Sequence, residues 1–253
     1  MDNFSKPLTP FRLESPEIPD RIFFHGIFKR SGGISPPPYD SLNLSLGVGD
    51  HPDNVRANRD RVKKSLAAER LLSAGQVHGS GILVIEEEPE EDREFPGYDA
   101  LITDVPGPAL MIQLADCQAV MVLDPVKRVA ANIHCGWRGN AADIIGKTIH
   151  RMTERFRSRP SDLSAFISPS LGPCCAEFKN WRQELPREFS RYQVRPDYFD
   201  LWAVSRDQLR RAGVLGQNVH TAALCTKCGP EWFSYRREGR TGRFGAVIGL
   251  SKQ

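Results

Sequence analysis

The sequence lacks the features that mark several large classes of protein. It contains no apolar run close to the roughly 20 residues needed to cross a bilayer, and its N-terminal segment has no apolar core typical of a secretory signal. Its net charge is only +3, with Lys and Arg spread along the chain, so nothing indicates a nucleic-acid partner. It has neither a G-x-G-x-x-G nor a Walker A stretch, so no dinucleotide or P-loop site is predicted. We therefore expect a cytoplasmic protein that binds neither membrane nor nucleic acid.

Cysteine is also scarce, with six in 253 residues. In a chain of this length without an export signal, reduced thiols are a better interpretation than a disulfide framework. Cys225 and Cys228 form one C-x-x-C, whereas Cys174 and Cys175 are adjacent. A structural zinc site usually uses two C-x-x-C pairs, so ordinary reduced thiols are favoured here, and a zinc ion shared by all four is the alternative.

Internal repeats and low-complexity linkers are absent, which favours one catalytic domain over residues 21–253 after an N-terminal surface arm at 1–20. Strand-like runs outnumber helical ones and show no βαβ rhythm, so the predicted fold class is α+β. Strands are predicted at 21–28, 81–87, 98–103, 109–115, 119–124, 128–134, 217–221 and in the terminal FGAVIGL, and helices at 53–70, 139–157 and 199–213.

The runs at 119–124 and 128–134 predict a β-hairpin whose turn lies around Pro125 and Val126. If the turn is centred between these two residues, Cys117 faces His134 across the hairpin, close enough for their side chains to interact. A one-residue slip would bring Cys135 or Asp116 to the partner strand instead. The hairpin therefore predicts a thiol beside an imidazole at its open end.

Two chemistries suit a cysteine beside a histidine. The imidazole can lower the thiol pKa, so that the thiolate attacks a carbonyl or an amide. Alternatively, both side chains bind a metal, and His78, in a loop of small residues before a strand, is a candidate third ligand. A His₂Cys set with an open position is typical of catalytic zinc.

Several motifs in order along the chain resemble the YfiH family, the laccase-domain or polyphenol oxidase-like proteins. The match runs from about residue 22 to the end, and Cys135 stands where the family usually has alanine. The motifs are GGISPPPYDSLNL at 32–44, QVHG at 76–79, DALIT at 99–103, ADCQAVMVLDP at 115–125, H-x-GWRG at 134–139, GPCC at 172–175 and FSYRREGRTGR at 233–243.

The resemblance implies a single domain folded as a four-layer α/β/β/α sandwich with mixed sheets. It also implies a metal site, mostly zinc, at the positions of His78, Cys117 and His134, which are then both metal ligands and catalytic residues. Family members are described as purine nucleoside phosphorylases, which use phosphate to release the base from adenosine, inosine, guanosine and methylthioadenosine, and as adenosine deaminases. The expected partners are purine nucleosides and phosphate, in a monomer or small homo-oligomer.

Such a reaction needs cationic groups for phosphate. Arg59 interrupts the apolar face of the first helix, where it either reaches to solvent or anchors a carboxylate or an anionic ligand. The basic run at 235–243 is either a solvated edge or an anion site. Trp137 either stacks on the base or packs in the core. The candidate substrate residues are Asn43, for ribose hydroxyls, and Arg59, Arg138, Arg236, Arg237 and Arg243, for phosphate.

Three other functions stay open. A cysteine amidase or hydrolase acting on an amide such as a cell-wall precursor would use Cys117 as nucleophile and His134 as base. A non-enzymatic metal or redox protein would bind metal without turning over a nucleoside. A copper-dependent polyphenol oxidase with four coppers needs many histidines, often in H-x-H pairs, and this chain has six histidines and no such pair. The sequence still permits a single copper ion bound by His78, Cys117 and His134, because Cu²⁺ outranks Zn²⁺ in raw affinity.

Overall fold

The computed structural model describes residues 8–12 and 22–252, which form a mixed α+β domain, as predicted. Most of the predicted N-terminal arm lies outside these ranges. Within them, the strands are β1 Phe23–Phe28, β2 Arg70–Gly75, β3 Ile82–Ile85, β4 Arg93–Pro96, β5 Ala100–Thr103, β6 Pro108–Leu114, β7 Gln118–Asp124, β8 Val129–Cys135, β9 Ser164–Ile167, β10 Gln193–Arg195, β11 Tyr198–Phe199, β12 Val219–Thr221 and β13 Phe244–Leu250. The α-helices of the same ranges are α1 Pro52–Ser65, α2 Trp137–Ala141, α3 Ile144–Phe156, α4 Trp181–Glu184, α5 Leu201–Arg211 and α6 Tyr235–Glu238.

Two mixed sheets form the centre of the domain. One has the strand order β1-β13-β6-β2-β4 and the other the order β12-β9-β7-β8-β5-β3. Fully buried apolar side chains of both sheets, such as Leu110 and Ile112 on β6 and Met121 on β7, form one cluster and hold the sheets face to face. Strands β6, β7 and β8 are buried along their whole length, which explains their nearly continuous apolar sequences.

Helices cover the outer faces of both sheets. Val62 on α1 and Leu66, the residue that caps its C-terminus, pack in a cluster with Met111 and Val247 of the five-stranded sheet. On the other side, α3 and α5 contribute apolar residues such as Ile149 to a cluster with the outer face of the six-stranded sheet. The arrangement is the predicted four-layer α/β/β/α sandwich. No helix of the described ranges combines the length and apolar composition needed to span a bilayer.

The helix predicted at 199–213 is α5, Leu201–Arg211, and the other two predicted helices differ more from the structure. The helix predicted at 53–70 ends at Ser65, and Arg70 already begins strand β2, a strand that was not predicted. The helix predicted at 139–157 is divided into α2 and α3. Asp143 takes a left-handed φ of 52° and its side chain accepts the Gly146 N–H, so it ends one helical segment and caps the next.

The β7–β8 hairpin has a longer turn than predicted. Asp124 Oδ1 accepts the N–H groups of Val126 and Lys127, both at 2.9 Å, and Arg128 adopts a left-handed φ of 54°. The loop therefore spans 125–128, and His134 pairs with Ala119. The predicted pairing of Cys117 with His134 is wrong by two residues. Because side chains alternate with a period of two, this shift keeps Cys117 on the His134 face, as a diagonal neighbour.

Candidate active site and metal centre

Three loops and strand ends bring His78, Cys117 and His134 together. His78 lies between β2 and β3, Cys117 lies in the turn between β6 and β7, and His134 is on β8. Their ligand atoms all lie within 4.8 Å of one another, and Cys117 Sγ is 3.8 Å from His78 Nε2. His134 is buried, whereas His78 is exposed, so the trio opens to solvent on the His78 side. A histidine–cysteine–histidine donor set with an open side fits a zinc ion that retains a free position.

Asp99 orients two members of this trio. Its fully buried carboxylate lies 2.7 Å from His134 Nδ1 and accepts the backbone N–H groups of Val77, His78 and Gly79. Burial raises the pKa of Asp99, but the hydrogen bonds from His134 and the loop N–H groups outweigh it, so the pKa lies below its usual value. Because Nδ1 is occupied by Asp99, the His134 ring presents Nε2 to the site. A carboxylate behind a histidine is the usual support of a metal ligand.

Gly136 provides the space that the trio needs. A Cβ at this position would lie 2.9 Å from Cys117 Sγ and 3.4 Å from His78 Cδ2. A side chain there would displace the thiol, so the glycine that follows Cys135 in H-C-G-W is a requirement of the site.

Asp116 fixes the backbone on which Cys117 is carried. It has a φ of 94°, an uncommon conformation for a residue with a side chain. Its carboxylate accepts hydrogen bonds from Thr226 Oγ1 at 2.7 Å, Ser234 Oγ at 2.6 Å and the Arg236 N–H at 2.6 Å. These bonds hold the left-handed turn and therefore the direction of the next side chain. Such backbone conformations persist where the surrounding structure imposes them, often at functional sites.

The electrostatics of the trio favour an ionised thiol. Burial raises the pKa of Cys117, but the positive charge of His134 and hydrogen bonds from both histidines outweigh it and lower the pKa to about 6. Burial lowers the pKa of His134, but the Cys117 thiolate and Asp99 outweigh it and raise the pKa to about 9. Without a metal, the two side chains form a thiolate–imidazolium pair near neutral pH. A deprotonated thiol is also the form that binds a metal.

Cys135, the thiol next to His134, is directed away from the trio. It is 1% exposed and belongs to the apolar cluster beneath α3. Burial, followed by the charge of Cys117, raises its pKa. Of the two thiols, Cys117 is therefore the one whose surroundings favour the thiolate.

A cavity of about 420 Å³ opens over the trio. This volume lies within the range of small-molecule sites, about 300–1,000 Å³. The side chains of Gln76 and Gln113 form part of its polar lining. Its apolar and aromatic lining includes Trp137, Leu171, Phe178, Leu201 and Tyr235.

Three of the predicted phosphate residues line this cavity, namely Arg138, Arg236 and Arg243. The Arg138 guanidinium lies 4.2 Å from the centre of the Trp137 ring. Arg236 Nη1 donates to the carbonyl of Glu177 at 3.0 Å. Arg243 Nη1 donates to two nearby carbonyl groups at 2.9 and 3.0 Å. A guanidinium has five N–H donors, so each arginine keeps donors for an anion.

The other three predicted substrate residues do not line the cavity. Arg59 donates to Glu94 at 2.7 Å and to the Leu44 carbonyl, and so anchors a carboxylate of the protein itself. Arg237 donates to four backbone carbonyls and to Glu238. Asn43 is fully buried and accepts the Arg243 N–H. Their polar atoms bind partners within the protein.

Comparison with known proteins places the chain in a family. The family model described as multi-copper polyphenol oxidoreductase laccase matches residues 24–251. The purine nucleoside phosphorylase YfiH of Escherichia coli K12 is 32% identical over 233 residues, which cover 87% of this chain and 91% of that protein. The chain belongs to the YfiH family.

Other YfiH-family proteins match over a similar extent. The purine nucleoside phosphorylase YlmD of Geobacillus stearothermophilus is 32% identical over 255 residues, 90% of this chain and 90% of that protein. Its crystal structure superposes with a TM-score of 0.82 at 33% identity, covering 91% of this chain and 92% of that one. The crystal structure of Bacillus licheniformis YfiH gives a TM-score of 0.83 at 30% identity, covering 90% and 93%. The resemblance predicted from the motifs is confirmed.

The histidines of this YfiH-family chain do not gather into a multicopper cluster in the described residues. His25 and His220 stack on Phe166, with ring centres at 5.5 and 5.2 Å. His51 caps the N-terminus of α1, and His150 pairs with Glu154 on α3 at 3.1 Å. In the described ranges, the groups able to hold a metal are the trio and a set of four cysteines.

Proposed function

We propose that this protein is a metal-dependent purine nucleoside phosphorylase whose active site is the His78–Cys117–His134 trio and the cavity above it. The observation that carries the proposal is the meeting of these three donors on the wall of a cavity that also has aromatic side chains and three arginines. Relatives at about 32% identity are named purine nucleoside phosphorylases, which supports the same activity here. A cytoplasmic location, expected from the sequence, is part of this proposal.

Zn²⁺ is the cofactor that we assign to the trio. His78, Cys117 and His134 would hold it, with Asp99 behind His134 fixing the ring. When bound, the metal supplies a Lewis acid and lowers the pKa of water. A thiolate ligand suits Zn²⁺ and copper better than Mg²⁺ or Ca²⁺, so a single copper ion at the same residues is the alternative loading.

The residues of the cavity have distinct tasks in phosphorolysis. Arg138, Arg236 and Arg243 bind phosphate through charge-assisted hydrogen bonds and orient it for attack on C1′. A phosphate oxygen bonds to C1′ as the sugar–base bond breaks, and the bonding electrons leave with the base. Trp137 and Tyr235 offer aromatic faces for stacking on the purine. His78, the exposed member of the trio, faces the incoming nucleoside.

Chromatography of inosine incubated with the purified protein and phosphate tests this function. We expect hypoxanthine and ribose 1-phosphate in equal amounts. Cys117→Ala removes a donor of the trio, and losing several kcal/mol of stabilisation corresponds to a rate at least about 100-fold lower. The control Cys135→Ala removes the neighbouring thiol, which packs under α3, and keeps turnover. Full turnover by Cys117→Ala would contradict the site assignment.

Adenosine deamination is a side activity that we assign to the same site. Water adds at C6 of the purine and the C6–N bond breaks with release of ammonia, so adenosine in phosphate-free buffer yields inosine and ammonia without free adenine. Cys117→Ala loses this reaction together with phosphorolysis, because both use the trio. Deamination that survives in this variant would separate the two activities.

One observation favours a second candidate function. Cys117, His134 and Asp99 form a thiolate, an imidazolium and a buried carboxylate in sequence, which is also the arrangement of a cysteine hydrolase. A hydrolase of amides would form a covalent acyl intermediate on Cys117 and would keep its activity in the presence of a chelator. Intact-protein mass after incubation with amide substrates tests this. An acyl adduct that is absent from Cys117→Ala would favour the hydrolase.

A further inference from the structure

A second cluster of metal-ligating side chains lies outside the trio. Cys174, Cys175, Cys225 and Cys228 come from two segments about fifty residues apart in sequence, and their sulfurs all lie within 4.8 Å of one another. Their spacing in the sequence favours separate reduced thiols, because adjacent cysteines do not follow the usual C-x-x-C spacing of zinc sites. The fold nevertheless brings all four sulfurs to one point.

The distances between the sulfurs fit a tetrahedral metal site. Four sulfurs bound to zinc at about 2.3 Å lie about 3.8 Å apart along each edge of the tetrahedron. Cys228 Sγ lies 3.8 Å from Cys174 Sγ and 3.5 Å from Cys175 Sγ. A disulfide would instead need the two sulfurs at about 2.05 Å.

A tight turn explains how adjacent cysteines contribute to one cluster. The N–H groups of Cys175 and Ala176 both donate to the Gly172 carbonyl, at 2.8 and 2.9 Å, so the chain folds back at Pro173. Gly172 is tightly enclosed, since a Cβ there would lie 3.0 Å from Cys225 Cβ and 2.9 Å from the Trp202 ring.

The surroundings of the Cys225 sulfur suit a thiolate. The Gly172 N–H donates to Cys225 Sγ at 3.3 Å, and the N–H of Cys228 is a second donor to the same sulfur. Backbone N–H donors to sulfur are typical support for a metal-bound thiolate. Arg195 Nη2 donates to the Cys174 carbonyl at 3.0 Å, which places a positive charge beside a centre whose four thiolates exceed the charge of a divalent ion.

We propose that Cys174, Cys175, Cys225 and Cys228 bind one structural Zn²⁺ ion as a four-thiolate site. Each thiol gives up its proton when it binds, and all four positions are filled by protein, so the ion is structural rather than catalytic. This proposal is independent of the proposed function.

The metal would join the segment that contains Cys174 and Cys175 to the segment that contains Cys225 and Cys228, and both support the cavity. The Ser170 N–H donates to the Leu224 carbonyl and the Thr226 N–H donates to the Ser170 carbonyl, at 3.1 and 3.0 Å. Thr226 in turn donates to Asp116, the residue before Cys117. A metal bound by the four cysteines would therefore hold one wall of the cavity in place.

Elemental analysis of Cys117→Ala protein, purified under reducing conditions without chelator, tests the proposal. Cys117→Ala lacks a donor of the trio, so we expect about one zinc equivalent per chain, held by the four cysteines. In this background Cys228→Ala lowers the zinc content to near zero, and the matched control Cys135→Ala leaves it unchanged. Because the first count uses a chain with all four cysteines, it stands even if Cys228→Ala fails to fold.

Cobalt substitution provides a second readout that does not depend on activity. Co²⁺ in the Cys117→Ala protein should give intense sulfur-to-cobalt charge transfer and tetrahedral d–d bands, which Cys228→Ala abolishes. Zinc-free Cys117→Ala protein that also fails to bind Co²⁺ would overturn the proposal. So would peptide mapping that finds a disulfide between Cys228 and Cys174 or Cys175 in freshly purified, reduced protein. Loss of nucleoside turnover alone leaves these readouts unchanged.

Discussion

The buried Asp99 carboxylate has two roles in positioning the trio. It fixes the His134 ring through Nδ1 and holds the His78 loop through three backbone N–H groups. Asp99 belongs to the DALIT motif, but the motif alone assigns it no role. Its place at the start of a strand, before an apolar run, was the available signal, because a carboxylate there must find partners if the strand is buried.

Asp99→Asn should weaken both metal binding and turnover. The amide keeps the shape but replaces one acceptor oxygen with an N–H₂ group, which cannot serve all four donors. Changes to such partners of metal ligands typically cost 10–100-fold in metal affinity or activity, and we expect a loss of about that size. Competition with a chromogenic chelator measures zinc affinity, and kcat/KM for inosine measures turnover. Asp104→Asn, at an exposed aspartate just after β5, is the matched control; equal zinc affinity in both variants would contradict the role of Asp99.

The predicted substrate residues differ in their surroundings. Arg138, Arg236 and Arg243 line the cavity, whereas Arg59, Arg237 and Asn43 have their polar atoms engaged inside the protein. The sequence shows that a cation is present but not which carbonyls or carboxylates surround it. Those partners come from segments distant in sequence, as Glu94 does for Arg59.

The β7–β8 hairpin explains why the trio could be predicted from an incorrect register. The predicted turn was too short by two residues, but an even shift preserves the face on which each side chain lies. Extending the observed pairing by one step brings Cys117 opposite Gly136 rather than His134. Because Gly136 has no side chain, the Cys117 thiol has room to lie next to the two histidines.

Gly136→Ala should therefore disable the site without unfolding the protein. The new methyl group would sit 2.9 Å from Cys117 Sγ, and the thiol would have to move away from both histidines. We expect zinc affinity and inosine phosphorolysis to fall by at least about tenfold, as for other changes around metal ligands. Gly47→Ala, where the nearest atom to the new methyl is 3.9 Å away, is the matched control. Unchanged activity in Gly136→Ala would show that Cys117 does not need its observed position.

The acidic segment before Tyr98 contains β4, and Glu94 on this strand links α1 to the sheet. Glu94 Oε2 accepts hydrogen bonds from Arg59 at 2.7 Å and from Ser73 and Gln113, both at 2.9 Å. Burial raises the pKa of Glu94, but these partners outweigh it and hold the pKa below its usual value of 4.5. The ionised carboxylate therefore stabilises the folded state.

Glu94→Gln should lower the free energy of unfolding at pH 7 by about 1–3 kcal/mol, the usual range for hydrogen bonds to a charged group. Because the folded pKa lies below the unfolded value, this stabilisation is fully present above about pH 4.5 and is lost as the pH falls through the folded pKa. Urea unfolding at several pH values should show a gap between the two proteins that closes on acidification. Glu91→Gln, at an exposed position of the same segment, should show little change, and a gap independent of pH would contradict the account.

At the scale of the whole molecule, the site lies where the chain crosses between the two sheets. The His78 loop joins β2 of the five-stranded sheet to β3 of the six-stranded sheet. The Cys117 turn likewise joins β6 of the five-stranded sheet to β7 of the six-stranded sheet. Asn132 on β8 donates across the interface to the carbonyls of Leu110 and Ala246, both at 2.9 Å. These contacts fix the sheets relative to each other and so fix the distances within the trio.

Most of the strands and helices that form the layers could be predicted from the sequence, but the pairing of the strands within each sheet could not. The apolar runs that became β6, β7 and β8 predicted buried strands, and the family resemblance supplied the four-layer order. Strand β2 was missed because Arg70–Gly75 follows α1 closely and contains small residues that read as a loop. Its pairing with β4 and β6 is set by distant segments, which local patterns do not report.

The central claim is that phosphorolysis depends on a metal held by His78, Cys117 and His134. The most direct measurement is the release of hypoxanthine from inosine and phosphate by protein stripped with a chelator, before and after adding back Zn²⁺. The account predicts that stripped protein is nearly inactive, that Zn²⁺ restores the rate, and that Cys117→Ala is not restored. Stripped, zinc-free protein that releases hypoxanthine at the full rate would contradict it.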